Sequence, residues 1–274
     1  MKKQSNFLAL MALAAMGVMF VSCTNVDNPY NVTTPDGKYV LVKDSIVSTD
    51  GGSKVAVWEY DAQGRVTKET FVNNNPDGTS LQEVSTYTYS QNLITRETLR
   101  NGVDPSFAYF YLNSKGLIER FKYEASGYDC IFKYDDDDRV MTCTEAGHSD
   151  TVVWKNGDVE KYVAVVNTTS HAMIYTSSHY EVNFPYLMPY LLHMDNALSP
   201  MGLFGKATRH LISNIHFEAA SDGKSATHNE SYSYVVRSGL VMEFIVDIDD
   251  LYTENGETEE EKMTHHHYFT WKKL

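Results

Sequence analysis

The hydrophobic and polar positions of this chain follow a repeated pattern that is typical of β-hairpins. Two aromatic residues stand at positions i and i+2, a turn of polar residues and glycine comes next, and the chain leaves the turn through Val or Ile. Because residues i and i+2 of a strand share a face, each aromatic pair lies on one side of the predicted sheet. Aromatic side chains also favour strands, where they pack across the pleat. The pattern therefore predicts a series of antiparallel hairpins.

The clearest copy runs from Trp58 and Tyr60 to Val66, and Gly64 suits the left-handed position of a three-residue turn. The further copies are Tyr87 and Tyr89 with Ile94; Tyr109 and Tyr111 with Ile118; Phe132 and Tyr134 with Val140; a weaker copy, Val152 and Trp154 with Val159; and Tyr232 and Tyr234 with Val241. Consecutive copies up to Trp154 are 20 to 29 residues apart, which is one hairpin with its connections. We predict that the paired aromatic side chains pack in the core, and contact with a ligand is the alternative.

The strands that return from these turns are polar on both faces. Residues 66–70 and 94–98 read Val-Thr-Lys-Glu-Thr and Ile-Thr-Arg-Glu-Thr. We therefore predict an all-β fold, an extended and curved antiparallel hairpin array that is either an open sheet or a wide, barrel-like one with a polar lumen. A membrane-spanning barrel needs an apolar band on every strand. Basic residues interrupt such a band at Lys68, Arg96, Arg120 and Lys122.

An insertion near residues 184–212 departs from the strand pattern. It is densely apolar and contains three prolines. Because proline is tolerated near the start of a helix, we predict short helical turns over 190–196 and 202–209. We favour a plug or cap that covers the aromatic face of the sheet. The alternative is a lid over an apolar ligand pocket.

The N-terminus has the pattern of an exported lipoprotein. Two lysines precede the 15 residues from Phe7 to Val21, a stretch that is shorter than the roughly 20 apolar residues of a membrane span. Because Ser22-Cys23 comes directly after it, we predict a lipoprotein signal peptide over 1–22 and lipid attached to the thiol of Cys23. This pattern indicates the outer membrane and leaves open whether the protein faces the periplasm or the outside.

The remaining chain is acidic and undivided. Residues 23–38 are polar and form a tether, and residues 39–274 form a single hairpin-repeat domain. The whole chain has 23 basic and 36 acidic residues, and residues 1–22 hold two of the basic ones and none of the acids, so the exported chain has a formal net charge of −15. Nucleic acid is excluded as a partner because its binding depends on clustered Lys and Arg.

Catalytic and metal-binding patterns are weak. The acidic run 135–138 lacks the alternating ligands, central glycine and distal Glu of a calcium loop, so we expect a solvated hairpin turn. His265 and His267 share one face of a strand, but two imidazoles make a weak metal site. The sequence contains neither a Gly-x-Ser-x-Gly nor a His-Glu-x-x-His motif. We predict no catalytic residue, no metal and no cofactor.

The pairing of Cys130 and Cys143, which flank the acidic run, depends on strand register. A two-residue turn centred within the run would place the cysteines opposite each other, where a disulfide is conceivable. A hairpin with Tyr134 opposite Val140 would place them on opposite faces of the sheet. Because the repeated pattern favours the second register, we predict two unpaired thiols.

The order of these features resembles a protein family. The Tyr-Asp-x-x-Gly-Arg-Val phrase at 60–66, the interruption at 183–185 with Gly-Leu-Phe-Gly-Lys behind it, and the return of the phrase near Tyr234 are similar to a Bacteroidetes lipoprotein family of unknown function with a porin-like β fold. The resemblance covers the chain beyond the tether. It implies a curved, many-stranded antiparallel sheet and brings no catalytic residues. Ser45 and Thr151 also resemble the Asp-Ser/Thr-apolar acceptors of O-glycosylation in exported Bacteroidetes proteins.

These features predict a non-enzymatic, membrane-anchored lipoprotein whose β domain binds or scaffolds an envelope component, which is a protein, a glycan or an apolar small molecule. The alternative is an envelope enzyme, such as a glycan-processing hydrolase, or its accessory, which needs two carboxylates converging in a cleft. Two acids near the aromatic rows, one of them desolvated, would favour the enzyme. A transport-type barrel would instead need an apolar exterior belt.

Overall fold

The computed structural model describes residues 39–274 except 146–147, 167–168, 183, 185–194, 196, 222–223 and 255. The predicted signal peptide over 1–22, the lipidation site Cys23 and the tether over 23–38 lie outside the described residues. The same holds for the helical turn predicted over 190–196, apart from Asp195.

The described chain forms a closed antiparallel barrel in which every strand pairs with its neighbours in sequence and β1 pairs with β16. Its strands are β1 (Tyr39–Ser48), β2 (Ser53–Tyr60), β3 (Val66–Asn74), β4 (Ser80–Tyr89), β5 (Leu93–Arg100), β6 (Val103–Leu112), β7 (Ile118–Tyr123), β8 (Tyr128–Tyr134), β9 (Val140–Glu145), β10 (His148–Lys155), β11 (Asp158–Val166), β12 (Thr169–Ser177), β13 (Ile212–Ser221), β14 (Lys224–Arg237), β15 (Leu240–Glu254) and β16 (Glu257–Lys273). The all-β, barrel-like prediction is confirmed.

The turn between β2 and β3 is the three-residue loop that the sequence predicts. The amide of Asp61 donates to the carbonyl of Arg65 at 2.9 Å, and Asp61 Oδ1 accepts from two loop amides. Gly64 has φ 76°, in the left-handed region that closes such a loop. Asn113 and Asp135 accept the same pair of bonds in the β6–β7 and β8–β9 turns. The acidic run is therefore a hairpin turn ordered by its first carboxylate.

Alternation along the strands separates a buried inner face from a solvent-facing outer face. The first residues of several return strands, Val66, Ile118 and Val140, are fully buried. The apolar first residues of these return strands pack inward, whereas polar residues such as His228, Glu230 and His267 are buried elsewhere on the inner face, so the lumen is part apolar and part polar.

The outer face carries charges on strands around the whole barrel. These outward, mid-strand side chains are Lys43, Lys68, Glu97, Lys122, Lys133, Lys161 and Asp247. Lys68, Arg120 and Lys122 interrupt the exterior as predicted, whereas Arg96 points inward. Within the described chain, no helix has the length and apolar character needed to cross a membrane.

The third copy of the aromatic pattern is shifted by one residue. Phe110 is fully buried and shares the inner face with Leu112. Tyr109 and Tyr111 lie on the outer face, where the guanidinium of Arg120 is 5.9 Å from the centre of the Tyr111 ring. The inward placement expected for Tyr109 and Tyr111 is therefore wrong. In the run of alternating positions from 107 to 112, aromatic residues occupy both faces, so aromatic spacing alone does not identify the inner one.

Cys130 and Cys143 form a disulfide, with Cα atoms 6.2 Å apart. This finding overturns the prediction of two unpaired thiols. A bulge at Met141 on β9 leaves Tyr134 opposite Val140 but places Cys143 opposite Phe132. Both cysteines consequently face inward as diagonal neighbours, and both are buried.

The described part of the insertion, Asp195 and 197–211, runs across the barrel end that contains the repeated turns. Backbone bonds attach it to three of the hairpins there, joining Ile118 to Leu203, Lys206 to Asp138 and Arg209 to Gly157. Leu198 and Phe204 are buried, and the Phe204 ring meets Phe132 edge-on at 5.5 Å. These contacts close one end of the barrel.

The helix predicted over 202–209 is wrong. A 3₁₀ turn, Ser199–Met201, ends at Gly202, where φ is 73°. Gly205 has φ 86°. A residue in the left-handed region cannot continue a right-handed helix. Gly202 therefore ends the 3₁₀ turn, and Gly205 prevents a helix from forming over 202–209.

We expect Gly205→Ala to destabilise the protein by about 1–2 kcal/mol more than Gly202→Ala. Both substitutions place a Cβ on a left-handed residue, at a cost of about 1 kcal/mol or more. A Cβ on Gly205 would also lie 2.2 Å from the carbonyl oxygen of Asp138, whereas one on Gly202 meets nothing within 4 Å. Urea unfolding of the two variants measures the difference, and equal losses would contradict close packing of the insertion on the β8–β9 turn.

Candidate functional site

The inner aromatic residues nearest the repeated turns bind the backbone of the neighbouring hairpin. In the described chain these bonds, named rim bonds here, run at 2.6–2.8 Å from Tyr60 to Leu41 O, Tyr89 to Val66 O, Tyr134 to Ile118 O, Trp154 to Val140 O, Tyr234 to Ile212 O and Trp271 to Val241 O. Burial raises the pKa of Tyr60, Tyr89 and Tyr134, so their hydroxyls remain protonated donors. A rim bond contributes about 1 kcal/mol and satisfies a buried carbonyl.

One step deeper in the barrel, polar side chains converge in a group named the inner cluster: Trp58, Glu69, Tyr87, Arg96 and Asp195. Trp58 Nε1 donates to Glu69 Oε1 at 3.0 Å. The hydroxyl of Tyr87 lies 3.3 Å from oxygens of both Glu69 and Asp195. Arg96 forms an ion pair with Asp195, whose side chain is only 2% exposed. Two carboxylates, a phenol and a guanidinium thus share one buried site.

Burial and the neighbouring Asp195 carboxylate raise the pKa of Glu69 from 4.5 to about 7, against the opposing effects of Arg96, Trp58 and Tyr87. Burial acts to lower the pKa of Arg96, but Asp195, Tyr87 and Glu69 together outweigh it and raise the pKa. The inner cluster therefore holds the Arg96–Asp195 ion pair and one carboxyl group, Glu69, whose raised pKa places its change of charge near neutral pH.

Glu69→Gln is expected to gain stability relative to the unchanged protein as pH rises from 5 to 8. The raised pKa means that the fold favours protonated Glu69, so its stabilising contribution is complete below about pH 4.5 and is lost as pH approaches 7. Glutamine stays neutral at every pH. Denaturant unfolding of both proteins at four pH values gives the difference in their free energies of unfolding. A difference that does not depend on pH would contradict the burial of this carboxyl group.

Asp195 links the inner cluster to the insertion. Its Oδ1 accepts from the amides of Ala197 and Leu198 at 3.0 Å, and its carbonyl accepts from Ser199 at 3.1 Å. These bonds order the turn that leads into Ser199–Met201, while the ion pair with Arg96 attaches that turn to β5. The cluster therefore docks the insertion on the barrel wall.

Two carboxylates of the inner cluster, Asp195 and Glu69, were not predicted, for different reasons. Asp195 had a readable signal, because it is the only acid between Glu181 and Glu218. Glu69 had none. Strict alternation from the inward Val66 would point it outward, but a bulge at Thr67 turns it inward.

A second polar group lines the inner face of β14 and β15. The His228 ring lies 2.5 Å from Asp250 Oδ1 and 2.9 Å from Glu230 Oε1, and Tyr232 donates to Glu230 at 2.7 Å. Burial acts to lower the pKa of His228, but its bonds to Asp250 and Glu230 raise it to about 9. A buried imidazolium thus bridges two carboxylates across neighbouring strands.

His265 and His267 share the inner face of β16, as predicted, and each has a partner on β1. His265 Nε2 lies 3.2 Å from Ser48 Oγ, and His267 Nδ1 lies 3.0 Å from Asp44 Oδ2. Burial, together with the smaller effect of the neighbouring His267, lowers the pKa of His265 to about 3, so it is a neutral ring. Across the described residues, no three His, Cys, Asp or Glu side chains come together as a metal site.

The candidate O-glycosylation residues project outward from paired strands. Ser45 lies on β1 opposite Val55, and Thr151 lies on β10 opposite Val163. Glycosylation of either hydroxyl stays a prediction.

Comparison with known proteins places this barrel in a family. The family model described as a domain of unknown function (DUF4595) with porin-like fold matches residues 58–238. The chain belongs to the DUF4595 family. That match runs from the first aromatic pair of the repeated pattern to the β14–β15 turn. None of the curated proteins matches this DUF4595 chain.

Two crystal structures share the DUF4595 barrel fold. A porin-like protein from Bacteroides uniformis has a TM-score of 0.60 and 17% identity, covering 85% of this chain and 98% of its own. A porin-like protein from Bacteroides vulgatus has a TM-score of 0.51 and 14% identity, covering 85% of this chain and 99% of its own. At these identities the likeness shows the fold alone.

Proposed function

We propose that this DUF4595 protein is a non-catalytic binding module of the bacterial envelope, attached to the outer membrane through lipid on Cys23. The observation that carries the proposal is the ring of charged residues on the outer face, from Lys43 on β1 to Asp247 on β15. A charged side chain near the bilayer midplane costs about 2–4 kcal/mol for Lys or Arg. A barrel with such an exterior belongs in water, with an anchor outside the barrel.

The hydrogen bonds and the ion pair already formed on the inner face favour a binding function over catalysis. The rim bonds occupy the aromatic hydroxyl and indole groups nearest the turns, and the Asp195 carboxylate holds both Arg96 and two backbone amides. A catalytic carboxylate needs oxygen atoms that can reach a substrate. The inner face thus stabilises the barrel, and ligand binding is assigned to the exterior.

Screening tests this proposal. Purified full-length protein is applied to glycan and lipid arrays and to detergent-solubilised envelope proteins, and any bound small molecule is analysed by mass spectrometry after incubation. We expect the ligand to be recovered unchanged. A ligand that is retained and then converted to product would overturn the non-catalytic proposal.

A second candidate function, a glycan-processing hydrolase, is favoured by the convergence of Glu69 and Asp195 near Tyr87. A pair of carboxyl groups, one with a raised pKa, is what glycoside hydrolysis uses. Incubation with neutral and acidic oligosaccharides between pH 5 and 8 tests it. Hydrolysis that disappears in Glu69→Gln would establish the enzyme in place of the binding module.

A further inference from the structure

A groove of about 550 Å³ lies on the outer face of β13–β16 and is named the outer groove. Strand register places its side chains in two rows across the four strands. The first row is Asn214, Ser231, Asp247 and Thr264, and the second is His216, Asn229, Asp249 and Lys262. Residues two positions apart on a strand are about 7 Å apart, so the rows form two parallel lines of polar groups. The long strands β14–β16 thus present a concave polar surface to solvent.

Bonds within the groove leave several polar groups available. Thr264 donates to Asp247 Oδ1 at 2.7 Å, leaving the second oxygen of that carboxylate. Lys262 Nζ is 2.6 Å from Glu260 but 3.6 Å from Asp249 Oδ2. Asp249 Oδ1 has no hydrogen-bond partner among the described residues. Because Oδ1 is itself buried, a ligand would meet the Asp249 carboxylate through Oδ2, which lies 3.6 Å from Lys262 Nζ.

The groups in the rows select the chemistry of the ligand. Asn214, Ser231 and Asn229 each carry both a donor and an acceptor, and the aspartates accept only. Within the barrel, Asn229 Oδ1 already pairs with the His216 ring at 2.6 Å and Asn214 Nδ2 donates to Ser213 at 3.1 Å, which leaves the Asn229 amide N–H groups and Asn214 Oδ1 for a ligand. An ammonium ligand cannot accept hydrogen bonds from the amide groups of the rows. An anionic ligand is repelled by the aspartates and by the net charge of the whole chain, −13. Peptide strands bind at open sheet edges, and the sheet of the described strands closes without one. Neutral hydroxyl groups both donate and accept, so a polyhydroxyl ligand fits.

An aromatic surface continues from the groove along the outer face of β16. His266 and Tyr268 come after Thr264 at alternate positions, with ring centres 6.2 Å apart and planes 18° apart. Tyr268 is 43% exposed and is the only aromatic residue among the exposed large hydrophobic side chains of the described chain. A flat ring with a polar edge can pack against the C–H face of a sugar while the groove binds its hydroxyls.

We infer that the outer groove, together with Tyr268, binds a neutral carbohydrate. This inference rests on the proposed function and names the ligand class of that binding module. The carbohydrate lies across β13–β16, with hydroxyls bonded to Asn229 and Asp249 and one sugar ring against Tyr268.

Binding of maltohexaose, cellohexaose and chitohexaose to the full-length protein is measured by calorimetry, with spermidine as a cationic competitor. We expect at least one oligosaccharide to bind. The variant Asn229→Ala/Asp249→Ala should weaken it tenfold or more, and Tyr268→Ala should weaken it several-fold, because each removes ligand contacts. Glu97→Ala, an outward mid-strand change on β5, is the matched control and should leave affinity unchanged. Unfolding midpoints confirm that each variant is folded.

Three results would overturn the inference. If an oligosaccharide binds the groove variants as tightly as the unchanged protein, its binding site lies outside the outer groove. The proposal of a binding module would then still stand. Binding of spermidine alone would assign the groove to cations. Failure of all three oligosaccharides to bind would exclude this ligand class, whereas the binding module fails separately if the array screen finds conversion of the ligand.

Discussion

Replacing Arg96 with methionine is expected to lower the free energy of unfolding by about 3–5 kcal/mol. The Asp195 side chain, 2% exposed, would lose its ionic partner while staying close to Glu69. Methionine keeps much of the apolar stem of arginine, so the loss reports the unpaired charge and not a cavity. Urea unfolding at pH 7 measures it.

The double variant Arg96→Met/Asp195→Asn is the matched control. Asparagine retains an Oδ1 that can accept from the amides of Ala197 and Leu198, and it removes the buried charge. We expect it to recover most of the stability that Arg96→Met loses, because neutralising both partners avoids an unpaired buried ion. If the single variant stays within 1 kcal/mol of the unchanged protein, the ion pair does not hold the insertion on the barrel.

Removing the disulfide by Cys143→Ala should cost about 3 kcal/mol, because a bond across a sequence separation of 13 restricts the unfolded chain by about that amount. The double variant Cys130→Ala/Cys143→Ala should lose a similar amount, since either change breaks the same bond. Alkylation of the denatured, unreduced protein and a mass measurement check the bond itself. Labelling of both thiols would show that they are free.

The repeated pattern was enough to predict an all-β hairpin array, because aromatic residues at a spacing of two share a face in a strand and not in a helix. It was not enough to locate every residue. The bulges at Met141 on β9 and at Thr67 on β3 each add one residue to one strand and reverse the face of the later residues in that strand. For that reason the disulfide and the inward position of Glu69 were missed. In the third copy, aromatic residues stand on both faces, and the outer pair was taken for the inner one.

The inner cluster was beyond sequence reasoning for a further reason. It brings β2, β3, β4 and β5 together with Asp195, which is 99 residues from Arg96 in the chain. Nothing in local spacing indicates that these groups meet. The outer groove is similar, since its two rows exist only once the register of four strands is fixed.

The most direct test of the account is the cellular location of the Cys23→Ser variant, expressed in a host that exports and lipidates the unchanged protein. The unchanged protein should fractionate with the outer membrane. The variant should be released as a folded, monodisperse barrel that needs no detergent, because charged residues surround the described strands on their outer face. A Cys23→Ser protein that remains in the outer membrane and requires detergent would show that the barrel itself inserts, and would contradict the account.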